Sequence, residues 1–356
     1  MVNESEPRPV NYRPIHPEDA DQGDPYPLVV PRGVEAAYRY YVYVTTDVVT
    51  PKAFPVYASN DLVHWKALGP TLVTDSVPRA YWAPCICYVP GLARPYVMLY
   101  SRSVGAGEEA HVGHTIRRAD SERPEGPFID SGHVLTPDID FAIDPDVYRA
   151  PDGSLRLAYA TDFVSDAPLG TGIVEVGVSE DLTRVLTPPS LLARASEDWH
   201  LYDAKRTMPW KQIPSVDWST QTVVWNTVEA PVGGLINPRG QRVYLYSGGC
   251  FFGFYGVGAL VEDGGKLVNV TRSGRNFVLR PVPELGFHGP GHCAWLRGLD
   301  GKDYLVAHAR FGSPSAPRNA MLVELLWDEQ GLPYCPPVPA PSQAPETVSK
   351  DSKRGS

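Results

Sequence analysis

Five short stretches of this chain repeat one texture at a nearly constant interval, and that recurrence restricts the fold more than any other feature. Each alternates aromatic and β-branched residues: YRYYVYVTTD from residue 38, RPYVMLYSR from 94, GSLRLAYATD from 153, QRVYLYSGG from 241 and KDYLVAHAR from 302. Period-two alternation of this kind is the pattern of a buried strand. Ahead of each run lies a polar or proline-marked element: Asp24-Pro25, Trp82-Ala83-Pro84, Asp144-Pro145, Glu229-Ala230-Pro231 and Gly291-His292. The first residues of these elements stand 58, 62, 85 and 62 positions apart.

A period near 60 with one long interval predicts a repeated all-β unit the size of a four-stranded propeller blade. SNDL at 59 and SEDL at 179 echo each other two periods apart, and the turns PDG at 151 and LDG at 299 fall between lead-in and strand in their units. The 37 prolines and 32 glycines leave few uninterrupted stretches for helices. The expected fold is therefore all-β: a single five-bladed β-propeller with four-stranded blades over residues 20–335. An N-terminal arm (1–19) and a disordered Pro- and Ser-rich tail (336–356) are expected to lie outside it.

A net charge of −9 with no run of basic residues gives no electrostatic footprint for nucleic acid. No stretch approaches the roughly 18 apolar residues of a membrane span, and the polar start MVNESEPRPV lacks the apolar core of a signal peptide, so a cytoplasmic location is expected. Cys85, Cys87, Cys250, Cys293 and Cys335 are odd in number and irregular in spacing, which suggests free thiols and neither a disulfide framework nor a zinc site. Oligomeric state is not written in these residues.

In a propeller the innermost strands line one channel, so equivalent residues of different blades converge although they are far apart in sequence. Asp24, Asp144 and Glu229 occupy the lead-ins of units one, three and four. Three carboxylates in one cavity cannot all ionise cheaply, so one is expected to keep its proton near neutral pH and to be able to donate it. Glycoside cleavage needs such an acid and a second carboxylate to activate water. Asp21 is a neighbouring alternative to Asp24, and Asp146 to Asp144, strand alternation giving both members of the second pair one facing.

Taken in order, Asp24-Pro25, YWAP at 81, IDPDV at 143, VEAPV at 228, GHC at 291, YLVAHAR at 304 and MLVELLWDEQGLP at 321 resemble glycoside hydrolase family 43, over roughly residues 20 to 335. The resemblance implies an inverting hydrolase of arabinose- or xylose-containing substrates. With no secretion signal in the sequence, the expected enzyme is exo-acting and releases terminal α-L-arabinofuranosyl or β-D-xylosyl units from short oligosaccharides or small glycosides. The resemblance further implies Asp24 as general base, Glu229 as general acid and Asp144 as the third carboxylate. It places Trp82 beside the sugar, Arg318 on a sugar hydroxyl, and His292 where a hydrated cation, often calcium, is held in the channel. No cofactor is expected for the chemistry.

Two departures stand out: Glu-Ala-Pro replaces the family's usual Glu-Gly-Pro, and an insertion around residues 198–218 lengthens unit three. Trp199, Trp210 and Trp218 in that insertion are read either as a sugar-stacking rim or as pins for a long loop, and His308 is read as packing. Two rival functions are a non-catalytic carbohydrate-binding propeller and a related transferase or phosphorylase. The phosphorylase needs a cationic pocket beside the acids, for which the lead-ins show no paired arginines.

Overall fold

A computed structural model of the chain describes residues 11–16, 21–45, 52–75, 77–106 and 110–339. Its strands fall into five antiparallel arrays. Blade one comprises Gly23–Val29, Tyr40–Thr45, Lys52–Ser59 and Lys66–Val73. Blade two comprises Tyr81–Tyr88, Tyr96–Arg102, Thr115–Ser121 and Phe128–Val134. Blade three is Ala142–Arg149, Leu155–Phe163, Gly170–Gly177 and Ser190–Ala193; blade four is Val228–Ile236, Arg242–Gly249, Tyr255–Asp263 and Lys266–Asn269. Blade five has Phe287–Arg297, Asp303–Phe311 and Asn319–Glu324. Its fourth, outermost strand is Arg13–Pro14, from the other end of the chain.

The first strand of each blade packs against the first strands of both neighbours, and the contact of blade five with blade one closes the circle. The fold is thus a five-bladed β-propeller. The proline-marked lead-ins are themselves the innermost strands, and the aromatic runs are the second strands, not the channel-lining ones. Covered on both faces, those second strands are almost wholly buried, which is why they read as near-continuous apolar segments.

Apolar side chains fill every gap between blades. Tyr41 and Phe54 meet Met98 between blades one and two; Leu99 meets Leu157 between two and three; Tyr148 meets Tyr244 between three and four. Leu245 meets Leu305 between four and five, and Val42 meets Val306 at the closing junction. At about 25 cal/mol per Å² of buried apolar surface, such interfaces supply the main stabilisation of a ring with no central core. The two SxDL segments form one kind of turn, in which Ser59 or Ser179 Oγ accepts backbone N–H groups while Leu62 or Leu182, with left-handed φ, plugs the gap beneath.

The packed body is wider than residues 20–335. Tyr12 and Ile15 are buried, Tyr12 Oη donates to the Pro336 carbonyl at 2.5 Å, and Cys335 and Val338 pack against the blade four and five cluster. The remainder of the expected arm and tail, residues 1–10, 17–19 and 340–356, lies outside the described residues. The long interval holds a hairpin, Leu201–Arg206 with Val223–Asn226, joined to the third strand of blade three at Gly170 and Asn226. It has a small core of its own around Met208, Ile213, Val223 and Trp225. No helix among the described residues is long and apolar enough to cross a membrane.

Candidate active site

One backbone irregularity recurs in all five innermost strands. The register slips between Gly23 and Tyr26, Trp82 and Cys85, Ile143 and Asp146, Glu229 and Val232, and Gly291 and Ala294. Within each slip one non-glycine residue is left-handed: Asp24 (φ 48°), Ala83 (48°), Asp144 (57°), Ala230 (50°) and His292 (44°). Each such residue costs of order 1 kcal/mol or more in strain, and a bulge re-aims the side chains beside it. Proline follows four of the five, and because it has no N–H to donate, the interrupted ladder leaves no donor stranded there.

The five bulges border one narrow point of the channel. Beside it opens a cavity of about 540 Å³ whose lining includes Asp24, Asp144, Glu229, Trp82, His292 and Arg318. All six expected site residues therefore converge.

The bulge separates Asp144 from Asp146, against the common facing that alternation predicts. Asp144 lines the cavity, with Oδ2 accepting the Ala230 N–H at 3.1 Å. Burial, then Glu229, then Asp24 push its carboxyl well above the usual range. Asp146 instead ties blades together, Oδ1 accepting from Tyr26 Oη at 2.9 Å and Oδ2 from the Gly233 N–H at 2.7 Å, and burial pushes it up to about 6.

Asp24 Oδ1 lies 3.2 Å from His292 Nδ1 and 3.4 Å from an Arg318 terminal nitrogen, while Oδ2 makes no hydrogen bond among the described residues. Both oxygens of Asp21 are gripped by Arg318 at 2.7–2.8 Å, so Asp21 is the anchor of that guanidinium. Gly23 is needed here, because a Cβ at this position would stand 2.2 Å from the Arg318 guanidinium carbon. Arg318 itself directly precedes the third strand of blade five.

Glu229 Oε1 accepts a 2.7 Å hydrogen bond from Tyr255 Oη. Burial raises the Glu229 carboxyl to about 7, with Asp24 adding to the rise and Tyr255 and Arg206 opposing it. Tyr255 gave no signal in the sequence except indirectly: its ring lies on Gly291, whose added Cβ would sit 2.3 Å away. His308 is more than packing. Its Nδ1 accepts the Asp24 N–H at 3.2 Å, its ring stacks on Tyr255, and burial holds it well below the usual imidazole range.

The aromatic wall is Trp82, stacked on His114 at 4.2 Å, with Trp210 approaching His111 at 6.1 Å. Of the insertion's three tryptophans, Trp210 lines the cavity. Trp199 is buried against Tyr246 and Phe277, and Trp218 Nε1 donates to the Lys211 carbonyl, so these two act as pins. The insertion and the fifth blade also deliver Arg206, Lys211 and Arg310 to the cavity wall, a cationic pocket that the lead-ins did not reveal.

Calcium prefers six to eight oxygen ligands. Among the described residues no three His, Cys, Asp or Glu side chains converge on an ion-sized point, and His292 Nδ1 is engaged with Asp24. The side chains alone do not make a calcium site.

The family model for glycosyl hydrolases family 43 matches residues 29–333, a span that holds Asp144, Glu229, His292 and Arg318 and begins shortly after Asp24. Among solved structures the chain is similar to a thermostable family-43 glycoside hydrolase (TM-score 0.68, 23% identity, 94% of this chain and 98% of that one). It is similar also to two proteins of Bacteroides thetaiotaomicron: an endo-1,4-beta-xylanase (0.66, 23%, 90% and 95%) and an endo-arabinase (0.64, 19%, 89% and 97%). At these identities the likeness concerns the fold. A search of curated proteins found no match.

Proposed function

Because this chain belongs to glycosyl hydrolases family 43, and so is an inverting glycoside hydrolase, we propose that it removes terminal α-L-arabinofuranosyl or β-D-xylosyl units from short oligosaccharides or small glycosides. Glu229 is the general acid, Asp24 the general base, and Asp144 the carboxyl that raises the cost of ionising its neighbours. The observation that carries this reading is the meeting in one cavity of Glu229, hydrogen-bonded by Tyr255, and Asp24, held at one oxygen by His292 and Arg318 with the other making no hydrogen bond among the described residues; burial raises the Glu229 carboxyl to about 7.

Glu229 protonates the glycosidic oxygen as the bond to the anomeric carbon breaks. Asp24 takes a proton from the water that attacks from the opposite face, so configuration inverts. Arg318 and His292 hold Asp24 at one oxygen and leave the other to the water. Trp82, fixed by its stack on His114, offers a flat face to the sugar's C–H groups. No step passes through a cation. The cavity volume lies in the range that encloses a small ligand, which favours exo action on short substrates. Hydrolysis of nitrophenyl arabinofuranoside, xyloside and galactoside, with proton NMR of the first-formed anomer, tests activity, sugar and stereochemistry together. Release of the sugar with retained configuration, or turnover of none of them, would refute it.

The alkaline limb of kcat/KM on a disaccharide is expected near pH 7, where Glu229 loses its proton. Tyr255→Phe removes a hydrogen bond that favours the ionised form, so the limb is expected to move to higher pH. A structural loss would lower the rate at every pH and leave the limb in place. The same raised carboxyl makes stability fall as pH rises from about 4.5 to about 7, because there the folded state still binds a proton that the unfolded chain has released.

A further inference from the structure

Building on the glycosidase reading, we propose that the leaving-group side of the cavity recognises a carboxylate, and that the preferred substrate carries a uronic acid immediately beyond the bond that is cut. The residue that points there is Arg206, on the first strand of the inserted hairpin. Its guanidinium lies 4.4 Å over the Tyr202 ring and 5.5 Å from that of Trp225, partly buried in the cavity wall.

The other cations of the cavity are occupied: Arg318 by Asp21 and Asp24, Lys211 by Asp162, and Arg310 by the Phe251 carbonyl. Arg206 makes no hydrogen bond and no ion pair among the described residues, and burial lowers its pKa. A guanidinium stacked on rings with its N–H fork unspent is the donor set that binds a planar oxyanion in two places.

Its position sets which part of the substrate it meets. Tyr202, under the Arg206 guanidinium, lies beside Phe251, which follows the strand Arg242–Gly249 paired with the Glu229 strand, and Arg206 and Glu229 line one cavity. The arginine's charge there favours ionisation of the acid, which works against proton donation. Glu229 addresses the leaving-group oxygen, and Arg206 therefore stands beside the leaving group. A carboxylate docked there neutralises the guanidinium and lets Glu229 keep its proton. Tyr202 and the neighbouring Phe251, with ring centroids 6.1 Å apart, supply apolar faces for the ring that bears the carboxylate.

The test compares two disaccharides with one non-reducing xylosyl or arabinofuranosyl unit, linked to glucuronate in one and to glucose in the other. Wild type is expected to favour the glucuronate in kcat/KM by roughly 10- to 100-fold at low salt, the worth of a charge-assisted bidentate contact, and less as salt rises. Arg206→Gln is expected to bring the ratio near one and Arg206→Lys to keep part of it, with circular dichroism melts to verify folding. Turnover of both disaccharides by wild type with a ratio near one, or a ratio unmoved by Arg206→Gln, would overturn the inference and leave the hydrolase reading intact. Turnover of neither would remove the hydrolase reading, and D-glucuronate then binding no more tightly than D-glucose, or with a preference unmoved by Arg206→Gln, would overturn the carboxylate site as well. Cleavage that requires inorganic phosphate and yields the sugar 1-phosphate would overturn it, since Arg206 would then serve the acceptor.

Discussion

Replacing Glu229 by glutamine is expected to lower kcat on an unactivated disaccharide by roughly 10²- to 10⁴-fold, the usual worth of a general acid, while substrate affinity changes only a few-fold. Glutamine keeps the shape and still offers a carbonyl oxygen to Tyr255, so the hydrogen bond that orients the side chain survives. What disappears is the proton. The loss should therefore depend on the leaving group. A dinitrophenyl glycoside departs without protonation, and on that substrate most of the deficit should vanish. An equal loss on both substrates would mean that the substitution disturbs binding or folding, and an unchanged rate would remove Glu229 from the acid's role.

Asp24→Asn is expected to cost a comparable factor, roughly 10²- to 10⁴-fold, but on both substrates alike, because water must be activated whatever leaves. The pair of variants separates the two roles by leaving-group dependence alone. Asparagine is a gentle replacement here. Residue 24 is left-handed at φ 48°, a conformation that asparagine tolerates well, and Arg318 keeps its grip on Asp21. Recovery of Asp24→Asn on the dinitrophenyl substrate, with Glu229→Gln remaining impaired on both, would reverse the assignment of base and acid.

The repeat was legible because a blade is a local unit: aromatic runs, PDG and LDG turns and SxDL turns each report a structure made by neighbours in sequence. The three acids were legible for the same reason, standing at one point of that unit in different blades. The bulges were not. Alternation gave Asp144 and Asp146 one facing, and a single left-handed residue undid it, since a one-residue slip exchanges the two faces of a strand. Tyr255, His308 and Arg206 were hidden for another reason. Their roles come from contacts between blades or from a long insertion, and only closure of the ring brings them to the acids. The departure from Glu-Gly-Pro has a local meaning: Ala230 adopts the conformation that glycine takes more easily, held by its N–H on Asp144.

The place where the circle joins has a consequence for how the enzyme fails. Asp24 belongs to the first blade, yet His292, His308 and Arg318, which surround it, all arrive from the last, and Gln22 is sewn to Arg318 and Ala320 across the same junction. The proton acceptor is thus assembled only by completion, and a chain with four blades in order but the join undone is inert. Under rising denaturant the enzyme should fall silent before its far-UV circular dichroism fades, the lag measuring how much weaker this suture is than the seams it completes.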